Sequence, residues 1–75
     1  MEVVMVFKGR PPESWRGIPG VRAIAAEELG EVEGRFVLVV GDWELARRLG
    51  VGFLAEEEAE ELLAYMRKRL GVDPN

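Results

Sequence analysis

Two stretches of the chain refuse to alternate. Residues 2–9, EVVMVFKG, and residues 35–41, RFVLVVG, hold the unbroken apolar blocks Val3 to Phe7 and Phe36 to Val40, and each stretch ends in glycine. A half-exposed antiparallel strand puts a polar residue at every second position, so such blocks predict central strands covered on both faces. Successive strand residues point to opposite faces, and here the faces differ in size. Val3, Met5, Phe7, Phe36, Leu38 and Val40 make a bulkier face, expected to pack on helices. Val4, Val6, Val37 and Val39 make a thinner one of valine alone.

In the last third the period becomes helical. Ala59, Leu62, Leu63, Met66 and Leu70 recur at helical spacing with Gly71 behind them, which predicts a C-terminal amphipathic helix over residues 55–70. A shorter helix, 43–49, pairs Leu45 with Leu49 and stops at Gly50, and VGFL, 51–54, reads as a connector or a short edge strand. Residues 20–30, GVRAIAAEELG, fit two templates. Val21, Ile24, Ala25 and Leu29 make a helical stripe, but a helix here leaves only two long strands and a loop from Gly9 to Gly20, so strand is preferred. The prolines of PPESWRGIPG then open a short helix, and GEVEG, 30–34, turns the second strand back onto the third. The resulting expectation is a small two-layer α+β domain spanning residues 1–75. Its three- or four-stranded sheet follows a split βαβ, ferredoxin-like arrangement, with the first and third strands central, the second at an edge and the amphipathic helix last.

Composition narrows the chemistry. The chain has 75 residues and no cysteine or histidine, which removes disulfides, thiolate nucleophiles, the usual general base near neutral pH and the favoured zinc ligands. No cofactor or metal is expected. Glutamine and threonine are also missing while Glu and Arg dominate, a balance similar to that of thermophile proteins. There is no leader pattern and no long apolar run, so the expected location is the cytoplasm, away from membranes.

Four constellations carry the remaining chemistry. Asp42, at the joint between an apolar block and a helix, reads as an N-cap rather than a working carboxylate, since no His, Cys or Lys stands near it in sequence. Ser14 as a nucleophile would need Lys8 or a carboxylate as its base; a local turn hydrogen bond is the simpler role. In EEEAEE, Glu56 with Glu60 and Glu57 with Glu61 have a spacing that could hold a hard divalent ion. The same run also complements the helix dipole against Arg67, Lys68 and Arg69, and it could meet the basic end of a second, antiparallel copy. Lastly, Arg10, Trp15, Arg16 and Arg22 form a basic, aromatic segment able to contact RNA or DNA, although the net charge of -4 disfavours a polyanion.

The valine face supplies the leading functional expectation. Burying each valine is worth on the order of 1.5 kcal/mol, so a chain this short should cover Val4, Val6, Val37 and Val39 with the terminal helix or with a second subunit. The expected protein is a non-catalytic homo-oligomer, most simply a dimer, that binds a protein partner. The alternative is the nucleic-acid module just described, and third is a Mg-dependent enzyme built on carboxylates.

Overall fold

A computed structural model describes residues 2–70. Its strands are β1 (Val3–Phe7), β2 (Val21–Ala25), β3 (Phe36–Val40) and β4 (Gly52–Leu54), and its helices are α1 (Trp43–Leu49) and α2 (Glu56–Leu70). Single 3-10 turns lie at Glu13–Trp15, behind the two prolines, and at Ala26–Glu28. The ambiguous 20–30 segment is thus a strand followed by one helical turn. Capping explains several boundaries. Glu58 Oε1 accepts from the Ala55 amide at 2.9 Å to open α2, and Glu28 Oε1 does the same for the Ala25 amide at 2.9 Å.

The four strands form one sheet in the order β2-β1-β3-β4, and every neighbouring pair is parallel. Val3 stands opposite both Val21 and Phe36, and Leu38 stands opposite Gly52. The expected central and edge placements hold, but the ferredoxin-like arrangement does not. That arrangement required residues 30–34 to fold the second strand directly onto the third. Instead residues 26–35 cross over β1, and β2 and β3 flank it on either side. The physical reason lies in Leu29 and Val32, which this crossover presses onto the valine face. Unbroken apolar strands are what a parallel sheet, covered on both sides, demands.

The coverage is accordingly three-layered rather than two-layered. Val4, Val6, Val37 and Val39 are buried at 3% exposure or less beneath Ala46, Leu45 and Leu49 of α1, with Leu29, Val32 and Phe53 completing the cluster. Neither cover expected from the sequence is used: α2 lies on the other face, and the short helix α1 seals the valines within the chain. These four residues therefore have no surface left to offer a partner, and the oligomer interface placed on them loses its basis.

On the bulkier face α2 lays down Ala59 and Leu63, with Leu62 and Met66 alongside, over Met5, Phe7 and Val40. Trp15 and Ile18 from the β1–β2 connection fill the rest. The expected helix stripe ends at Leu70, whose side chain, with the stop at Gly71, lies outside the described residues. Phe36 departs from its face-mates, being half exposed at the start of β3. At the sheet edge, a Cβ on Gly52 would stand 2.5 Å from Leu38 Cδ2, so the absent side chain is what lets Leu38 lie flat between β3 and β4.

Candidate functional site

The order of the strands opens a crevice. From β1 the chain steps to β2 across the bulky face, through Trp15 and Ile18, whereas from β3 it steps the other way to β4 across the valine face, through α1. The neighbours β1 and β3 thus send their connections to opposite sides, and the gap at their carboxyl ends is the switch point where open parallel sheets take ligands. A cleft of about 690 Å³ lies there.

Its floor is apolar: Phe7 and Val40 from the strand ends, Trp15, and Ala59 and Leu63 from α2. Its walls are polar and come from two sources. Lys8, Gly9 and Arg10 follow β1 directly, with Ser14 beyond them; Glu56, Glu60 and Arg67 come from one stripe of α2. The half-buried Arg67 donates through Nη2 to the carbonyl of Ser14, which ties the β1–β2 connection to α2. Gly41 shapes the end of β3. Its φ of 76° lies in the left-handed region, and a Cβ there would stand 3.2 Å from Glu56 Cγ. Glycine lets the Glu56 side chain lie directly over the strand end.

The cleft charges do not neutralise one another. Among the described residues the ion pair present is Glu44–Arg47, at 3.1 Å on the exposed side of α1. Lys8, Arg10, Glu56 and Glu60 therefore face the same space without pairing across it.

The sequence candidates fall in different places. Asp42 Oδ1 accepts from the Leu45 amide at 3.1 Å, which makes it the N-cap of α1, and its side chain is not part of the cleft wall. Ser14 does share the cleft with Lys8 and two carboxylates. Among the described residues, however, no hydrogen bond joins its hydroxyl to any of them. Glu57 and Glu61 are exposed and outside the cleft, and among the described residues no group of three or more acidic side chains gathers where it could hold a metal.

The basic segment is taken apart by the fold. Trp15 is 3% exposed, its ring 6.0 Å from that of Phe7 between centroids, so it caps the core and contributes to the cleft floor instead of standing out beside Arg16 as a platform for a base. Arg22 pairs in register with Val4 and so belongs to the valine side of edge strand β2, opposite Trp15. Arg10 and Arg16 do share a shallow hollow, but Glu27 and Glu28 line it as well, so it is not the one-sign patch a phosphate backbone calls for.

Lys8, Gly41 and the Glu56–Glu60 pair were missed as a group by sequence reasoning. The available signal was positional, since Lys8 and Gly41 each immediately follow an apolar block. The chain matches no known family model, and comparison with curated proteins and with solved structures returns no match either.

Proposed function

We propose that this chain is a small non-catalytic binding module that holds a small organic ligand in the cleft at the carboxyl ends of β1 and β3. The observation that carries the reading is the cleft itself, an apolar floor between unpaired charges at the switch point of a parallel sheet. Its volume falls within the range of roughly 300–1,000 Å³ common to small-molecule sites. Binding rather than turnover is supported by the residue inventory. The chain has no histidine or cysteine, Asp42 is engaged as a cap, and the Ser14 hydroxyl has no base bonded to it among the described residues.

Amide and indole NMR shifts of the labelled chain, recorded against a pool of small polar fragments, test this. Bound fragments should move the Gly41 amide and the Trp15 indole, and Ala64→Trp, which adds bulk at an exposed cleft position, should abolish the shifts. Shifts that survive Ala64→Trp, or that fall on the valine side, overturn the reading.

A specific observation also favours the protein-partner reading in a new place. Trp43 is 59% exposed and stands edge-on to Phe53 at 5.4 Å beside edge strand β4. Exposed aromatics of this kind are enriched in interfaces. Self-association through this pair predicts a species larger than 8.4 kDa in sedimentation at micromolar concentration that is lost in Trp43→Ala. A monomer at every concentration rejects it.

A further inference from the structure

We infer that the ligand of the cleft is a zwitterion, with an anionic group held by Lys8 and Arg10, an ammonium held by Glu56 and Glu60, and an apolar body over Phe7 and Trp15. The inference rests on the cleft being a ligand site and adds the charge character of what enters it. Three observations carry it. First, Arg67 apart, the two signs lie on different walls: Lys8 and Arg10 belong to the segment leaving β1, and the carboxylates lie one turn apart on α2. Second, the walls do not satisfy each other, because among the described residues no ion pair links them. Third, the remaining cleft cation, Arg67, keeps its charge but donates to the Ser14 carbonyl, which draws its guanidinium from α2 towards the β1–β2 connection, the side of Lys8 and Arg10.

Charge selection follows from this layout. A plain anion drawn to Lys8 and Arg10 meets the repulsion of two carboxylates across the cleft, and a plain cation meets the converse. A molecule with both charges gains at each wall. One charge contact of about 4 Å between exposed groups, screened nearly as in bulk water, supplies on the order of a fivefold to tenfold gain in affinity. Blocking either end of the zwitterion puts a neutral amide there, which removes that gain and leaves the other charge's repulsion from the far wall uncompensated. The apolar floor favours a body such as a hydrocarbon or aromatic side chain.

Three probes separate the terms: L-phenylalanine, N-acetyl-L-phenylalanine, which keeps only the negative charge, and L-phenylalaninamide, which keeps only the positive charge at about pH 6. Each is titrated into the labelled full chain while the Gly41 amide and Trp15 indole are followed. The expected result is that phenylalanine binds about tenfold more tightly than either blocked form. In Glu56→Gln/Glu60→Gln, whose folding is checked by its amide spectrum, the N-acetyl form should draw level with phenylalanine. Equal binding of all three to the unaltered chain overturns the zwitterion and leaves the ligand cleft standing. Shifts from neutral fragments with none from the three probes have the same effect. Silence from every probe and fragment overturns the cleft reading as well.

Discussion

On one face of the sheet four valines meet a seven-residue helix; on the other, Met5, Phe7 and Val40 meet a fifteen-residue helix and a tryptophan. Small, uniform side chains leave a smooth surface, so a short helix that places Ala46 at the contact can seal it with little help. Bulky, varied side chains need filling from several directions. At the carboxyl end of the strands the filling stops, and the cleft is what remains. The thinner face closes the molecule, and the thicker face both supports it and leaves an opening. Size grading across a sheet can therefore decide which face of a small domain closes completely and which leaves a cleft.

The sharpest way to break this comparison is to hollow each face in turn. Trp15→Ala should cost about 3–5 kcal/mol in denaturant unfolding, because it removes the largest buried side chain of the bulky face. Val39→Ala on the valine face should cost about 2 kcal/mol, from two lost carbons and a small cavity. If the valine substitution proved the costlier, the thin face would be the one that holds the fold. A smaller effect is expected at the sheet edge. Gly52→Ala should cost about 1 kcal/mol, since the new methyl pushes into Leu38, and the Leu38→Ala background should relieve most of it. An additive pair would show that Leu38 is not the obstacle.

The cap on the helix that seals the valines comes next. Asp42→Ala should cost about 1 kcal/mol, whereas Asp42→Asn should keep nearly all the stability because its side chain also accepts from the Leu45 amide. Equal losses in thermal unfolding would reject the cap. The smallest effect belongs to the exposed Glu44–Arg47 pair, where Arg47→Ala should change stability by less than about 0.5 kcal/mol, with little response to salt. A larger loss would give α1 a second anchor beyond its packing on the valines.

Local features were legible where a single stretch of chain decides them. The apolar blocks became β1 and β3, the stripe from Ala59 to Met66 became the buried side of α2, and the Gly-Asp joint became a capped helix start. The strand order was harder to read, because GEVEG, with a glycine at each end, has the look of a reversing turn. Only Leu29 and Val32, apolar within an otherwise polar connection, mark it as a crossover that must lie on something. Ala46 was an equally quiet signal. Between Leu45 and Leu49 it looks like filler, yet it is the fully buried contact of α1 on the valines. The cleft was the least legible part. Lys8, Gly41 and Glu56 belong to segments far apart in the chain, and only the order β2-β1-β3-β4 brings them together.

The central position of β1 also sets a timetable. As the first strand to be synthesised it emerges with both edges bare, and it stays unmatched on one side until Phe36 to Val40 have followed. The intervening β2 can join early, but a two-stranded parallel ribbon without α1 or α2 has only Trp15 and Ile18 over its bulky side and no helix over its valine side. No hairpin is available as a local seed, because every pairing in the sheet links strands through a crossover, and such non-local closures slow folding. The nascent domain therefore carries an adhesive segment until β3 and both helices have followed. Its folding should be nearly all-or-none, and a truncation before α1 should yield an aggregating fragment rather than a smaller domain.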